Sequence, residues 1–117
     1  MTTWTSKLIY FADVIGQIIN KIYHYERPDV LPARFAVWQE NGQREGSFYA
    51  ENVPGEQVAD ISLDYFTQTE FDPVIDQIQA AFLLHGWPFE LQTVLYEEDT
   101  QLIHYTWGVQ VADNGQF

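Results

Sequence analysis

The sequence predicts an α+β protein: an antiparallel sheet of four to five strands with two helices packed on one face, in the order α-β-β-β-α-β-β. Three observations carry that prediction. Two stretches repeat their apolar residues at the three-and-four spacing of a helix, several others alternate apolar and polar residues as strands do, and the connections between strands are of hairpin length. At 117 residues with 46% hydrophobic and 16% aromatic content, the chain fits one domain, residues 1–117, around one core.

The first helix is read over residues 6–21, from the helical spacing of Leu8, Ile9, Phe11, Ala12, Ile15, Ile18, Ile19 and Ile22, and Thr5 or Ser6 supplies the N-cap. Ile22–Tyr25 turns strand-like. Arg27-Pro28-Asp29 and Leu31-Pro32 then break it, because proline donates no backbone hydrogen bond and restricts the residue before it. Arg34–Glu40 reads as a strand whose Phe35 and Val37 lie opposite Ala36 and Trp38, so both of its faces are expected to be covered. Asn41-Gly42 signals a turn, and the polar tract through Gly46 an exposed loop.

Ser47–Gly55 has no clear period. From Glu56 to Glu70, Ala59, Ile61, Leu63 and Tyr65 alternate with Asp60, Ser62 and Asp64, which implies one dry and one wet face. Asp72-Pro73 opens a second helix with Asp as cap, its stripe is Val74, Ile75, Ile78, Ala81 and Phe82, and Gly86 ends it. Phe89–Glu97 and Gln101–Val111 are two strands joined by Glu98, Asp99 and Thr100. On the second, Ile103, Tyr105, Trp107, Val109 and Val111 lie opposite His104, Thr106 and Gln110. Asp113–Phe117 is expected to be a loose tail.

Charge narrows the partners. The first 44 residues set Lys7, Lys21, Arg27, Arg34 and Arg44 against Asp13, Glu26, Asp29 and Glu40, a net +1; the other 73 hold 13 carboxylates and no Lys or Arg, a net −13. A nucleic-acid surface needs cations to displace condensed counterions, and an anionic membrane repels such a chain, so neither is an expected partner. No apolar run reaches the length of a membrane span, residues 1–6 lack the character of a signal peptide, and there is no cysteine, which points to synthesis in the cytoplasm.

Chemistry is sparse. No Gly-x-Ser-x-Gly elbow, Ser-x-x-Lys pair or phosphate-cradling glycine pattern occurs. His24 and Glu26 point the same way on an extended segment but have no third ligand at a metal spacing, His85 suits the C-terminal end of the second helix, and His104 falls on a wet strand face. Asp60 and Asp64 are roughly 13 Å apart along a strand, too far for an acid–base pair, and Glu97, Glu98 and Asp99 lack the spaced oxygens of a calcium loop. No catalytic, cofactor or metal site is expected. Trp38, Tyr49, Trp87 and Tyr96, placed on strands or loop edges, are instead candidate interface aromatics, since Trp and Tyr are enriched where proteins meet.

The order of these segments resembles the small tail terminator or tail completion proteins of long-tailed bacteriophages and prophages, also described as minor capsid or head-tail joining proteins. The resemblance lies in the N-terminal helix leading into Lys21-Ile22-Tyr23, the strands Phe35-Ala36-Val37-Trp38 and Ile61-Ser62-Leu63-Asp64-Tyr65-Phe66, the helix opened by Asp72-Pro73, and the hairpin at Tyr96-Glu97-Glu98-Asp99-Thr100. It covers Ser6 to about Val111 and rests on pattern rather than on one motif. It implies a non-enzymatic virion protein, made in the host bacterial cytoplasm, that forms a sixfold ring on the tail tube and meets the tube protein and the head–tail connector. DNA would pass through the ring, so Asp60, Asp64, Glu97, Glu98 and Asp99 become candidate lumen-facing acids that repel phosphates. The segment Gln43–Gly55 is the expected contact loop. Two other readings compete: a small acidic mimic of DNA that inhibits a DNA-binding protein, and, further behind, a carboxylate-based enzyme.

Overall fold

The computed structural model describes residues 3–43 and 58–112. In chain order the elements are α1 (Trp4–Gly16), β1 (Ile22–His24), β2 (Arg34–Gln43), β3 (Ala59–Thr67), α2 (Val74–Leu84), β4 (Phe89–Glu97) and β5 (Leu102–Val111). The α+β class is as the sequence predicts. The sheet, however, is mixed and not wholly antiparallel: its spatial order is β1-β2-β3-β5-β4, and β1 runs parallel to β2 while the other pairs are antiparallel. The two-proline segment 25–33 is long enough to return the chain to the starting end of the sheet, which a tight hairpin cannot do.

Helix α1 begins earlier and ends sooner than its apolar pattern implies. Thr3 is the N-cap, its hydroxyl accepting from the Ser6 N–H while the Ser6 hydroxyl accepts from the Thr3 N–H, a reciprocal capping box. The helix closes at Gly16, and Ile18, Ile19 and Ile22 belong to the chain that follows; Ile19 is buried all the same. Asn41-Gly42 does not turn. Strand β2 continues through it, with a register shift between Glu40 and Gly42 that leaves Asn41 as the extra residue of a bulge while Gly42 pairs with Asp60.

Both helices lie on one face of the sheet. Phe11, Ile15, Ile78 and Phe82 pack there with Trp38, Ile61, Leu63, Tyr65, Trp107 and Val109, all buried. The Trp107 indole N–H donates to Gln79 on α2 at 3.0 Å, so the largest core side chain also meets its polar requirement. Asp72 fastens the start of α2 to the sheet. One carboxylate oxygen accepts from the Tyr65 and Thr67 hydroxyls, each at 2.7 Å, and from Arg34 Nε at 3.1 Å; the other accepts from the Val74 N–H at 3.0 Å. Burial pushes the Asp72 carboxyl up, but the bonds from Thr67, Val74 and Tyr65, with the Arg34 charge, outweigh it and hold the group below the usual range.

The opposite face has a smaller apolar cluster of Phe35, Val37, Phe66 and Leu102, against which Tyr23 and Leu31 pack. The alternation of β3 leads to a wet expectation for that whole face. At its lower end, Phe66 is buried because segment 25–33 folds across it, with Leu31 packed against its cluster and Arg27 over its ring.

Candidate interaction surface

On this second face an ionic chain crosses three strands. Asp64 and Phe66 of β3 register with Thr106 and His104 of β5, and Glu97 at the end of β4 registers with Leu102. His104 Nε2 lies 2.8 Å from Asp64 Oδ1 and its Nδ1 lies 3.1 Å from Glu97 Oε2. Thr106 donates to the same Asp64 oxygen at 2.8 Å, and Thr100 donates to Glu97 at 3.0 Å. From segment 25–33, Arg27 forks onto both Glu97 oxygens at 2.7 and 3.2 Å, with its guanidinium carbon 4.5 Å from the Phe66 ring centre.

Carboxylate oxygens can only accept, so only the doubly protonated His104 ring donates on both sides. The two carboxylates meet opposite edges of the ring and do not converge on a common point, as shared metal ligation would require. Burial raises the Glu97 carboxyl, but Arg27 and Thr100 bonding to it and the nearby Arg27 and His104 charges more than reverse that and leave it lowered. Among the described residues, no three His, Cys, Asp or Glu side chains gather as a metal-binding group. The chain acts as a brace: it ties the crossing segment to the free end of β4.

The acids picked from sequence therefore separate. Asp64 and Glu97 are brought together through His104 and engaged there. Asp60 lies higher on the same face, in a shallow depression with Asn41, Ser62, Gln92 and Gln110. Glu98 and Asp99 are exposed at the β4–β5 turn. The aromatics separate as well. Trp38 and Trp87, expected to keep one side in solvent, are buried in the helix-side core, Trp38 against Phe11 and Trp87 against Phe11, Tyr10 and Phe82. Tyr96 is exposed. Tyr49, most of the expected contact loop Gln43–Gly55 and the tail Asp113–Phe117 lie outside the described residues.

The histidines have local partners. His24 bonds Glu40, not Glu26, at 2.7 Å, and its ring is stacked between Tyr25 and Trp38. Tyr25 takes a positive φ of 77°, and its hydroxyl also donates to Glu40, which raises the Tyr25 hydroxyl above its ordinary value. His85 caps the C-terminal end of α2 and contacts the Tyr10 hydroxyl at 3.2 Å.

A run of exposed apolar side chains lies elsewhere, on a sheet edge. Strand β4 forms one edge of the sheet and pairs only with β5; seven of its nine residues are exposed, including Leu91, Val94, Leu95 and Tyr96, the last three more than half so. A register shift between Leu91 and Thr93 places Gln92 in a bulge, and Thr93–Glu97 continues as regular strand. The strand contains no Lys, Arg or Pro, the residues that most often guard an edge. Sequence reading located β4 but not its exposure, because alternation reports which side chains share a face and not which strand ends up outermost.

No protein-family model matches the chain, and no curated protein matches its sequence. No helix among the described residues is long and apolar enough to cross a membrane.

Proposed function

We propose that the chain is a structural assembly subunit of the tail-terminator kind, a ring-forming virion protein that ends a phage tail tube and joins tail to head. The observation that carries this reading is the β4 edge, a strand of apolar side chains and open backbone groups of the sort that assembled proteins cover. The exposed acids add to it, since Glu98 and Asp99 at one end of the sheet would repel DNA passing nearby. A sixfold ring, tube and connector partners, and a place at the head–tail interface all belong to this proposal.

The DNA-mimic reading has less support. A mimic displays its carboxylates in a continuous row, whereas Asp64 and Glu97 are occupied by His104, Thr106, Arg27 and Thr100. The test is electron microscopy of particles assembled without this protein. Overlong tails, or tails that never join heads, are the expected result; normal virions would end the reading.

A further inference from the structure

We infer that strand β4 is a docking edge for an extended segment of a different protein, one that adds to the sheet as a sixth strand and carries Lys or Arg at its two ends. This names the partner chemistry of the surface on which the assembly reading rests. Three observations lead to it.

The first is the open backbone. With β5 on one side only, the outward N–H and C=O groups of β4 have no strand partner among the described residues, and an added strand would satisfy them. The second is side-chain chemistry. Val94 and Tyr96 register with Tyr105 and Ile103 and so lie on the helix side, while Leu95 registers with His104 on the other. An incoming strand therefore meets exposed apolar groups on both of its faces, Val94 and Tyr96 on one and Leu95 on the other. The third is charge. Exposed Glu90 lies near one end of the strand and exposed Glu98 and Asp99 lie just past the other, with no cation between.

Charge and length together disfavour a second copy as the occupant. Two β4 strands paired antiparallel about their centre would bring Glu90 of each toward Glu97, Glu98 or Asp99 of the other, and like charges set opposite destabilise a pair. The other sheet edge, β1, offers three residues against the nine of β4. Of the Lys and Arg side chains described there, Arg27 and Arg34 are already held by Glu97 and Asp72. A chain of net charge −12 has few cations of its own to spare for this edge.

The experiment titrates the whole chain with fluorescent nine-residue peptides of alternating Val and Thr. One has Lys at both ends, one has Glu at both ends, and one is the Lys-ended peptide N-methylated at alternate residues so that its edge cannot hydrogen-bond. The inference expects the Lys-ended peptide to bind at least about tenfold more tightly than either of the others, since several backbone bonds or two charge contacts are lost. Raising salt from about 0.05 to 0.5 M should weaken it. Val94→Lys, which places a guarding cation on an already exposed position, should cost about tenfold while leaving the circular dichroism unchanged.

Equal binding of the N-methylated peptide would overturn strand addition, and equal binding of the Glu-ended peptide would overturn the charge assignment. No binding of any peptide overturns the inference. So does sedimentation showing that the chain alone self-associates through this edge, with the association lost in Val94→Lys. These outcomes concern β4 only. Electron microscopy of particles lacking the protein tests the assembly role separately, so either can fail without the other.

Discussion

The two faces of the sheet are held by different physics. On the helix side, Phe11, Phe82, Trp107 and Tyr65 are wholly buried and their contribution is apolar burial and close packing. On the other, four buried apolar residues form a cluster among the described residues, and the segment over them is fastened by Arg27, Glu97, His104 and Asp64. Apolar burial is not screened by salt and hardly depends on pH, whereas partly exposed ion pairs respond to both. A perturbation can therefore loosen the second face, and with it the hold on β4, while the core stays intact.

Trp107→Ala should have the largest effect, about 3–5 kcal/mol of stability by chemical denaturation, because it opens a cavity and strips Gln79 of its donor. The same loss should appear at low and high salt. A salt-dependent loss would mean that Trp107 contributes more than apolar burial and its bond to Gln79.

Asp72→Ala follows, at about 3 kcal/mol, since it leaves the Tyr65 and Thr67 hydroxyls and Arg34 without their shared acceptor. Asp72 also fixes the sign of the acid response. Its folded-state pKa is lowered, so the stability it contributes is fully present above the ordinary carboxylate range and is lost as pH falls through the lower folded value. Glu97 acts in the same direction. Asp72→Asn should flatten the fall in stability of the intact chain below about pH 4, measured as denaturation midpoint against pH. An unchanged acid limb would remove Asp72 from the account.

Much of this arrangement is legible in the sequence where side chains alternate in a simple way. Ala59, Ile61, Leu63 and Tyr65 are buried together as the pattern implies. The helix start at Asp72-Pro73 is legible too, although Pro73 and not Asp72 is the N-cap residue and Asp72 accepts from the Val74 N–H one position further out. What the pattern hides depends on contacts between residues distant in sequence. Nothing near His104 announces that Asp64 and Glu97 will flank it; the signal available was that Asp64, His104 and Thr106 all fall on wet positions of strands that could be neighbours. Asn41-Gly42 misleads because a pair that suits a turn equally suits a bulge, here with Asn41 as the extra residue and Gly42 back in register. Trp38 and Trp87 mislead because apolar residues flanking a turn or on both faces of a strand do not say which of them the helices will cover.

On the second face, Arg27→Ala should cost about 1 kcal/mol at low salt, and less as salt rises, because the Arg27 side chain is 39% exposed. Glu97→Gln should cost somewhat more, as the carboxylate also accepts from Thr100 and meets His104 Nδ1. In a double-mutant cycle the two losses should not add, since each removes the same fork. Additive losses would mean that Arg27 and Glu97 act separately and that the brace is not one unit. Hydrogen exchange should show the same coupling locally, with amides of segment 25–33 and the end of β4 exchanging faster in both variants and those of α1 unchanged.

The smallest effect is expected at Gly108, where the two faces meet the bulge of β4. A Cβ built there would lie 2.6 Å from Gln92 Nε2 and 3.4 Å from its Cδ, so the side chain of the bulged residue rests where a methyl group would go. That obstacle is the far end of a flexible chain, not backbone. Gly108 is half-buried in the middle of β5, and alanine gains from a less flexible unfolded chain. The swing of Gln92 and this gain should nearly cancel, leaving Gly108→Ala within about 0.5 kcal/mol of the parent by denaturation. A loss of several kcal/mol would show that Gln92 cannot move, and hence that the bulge is a rigid part of the β4 edge. The strand above it would then present a fixed kink to any incoming segment, and docking would be confined to Thr93–Glu97.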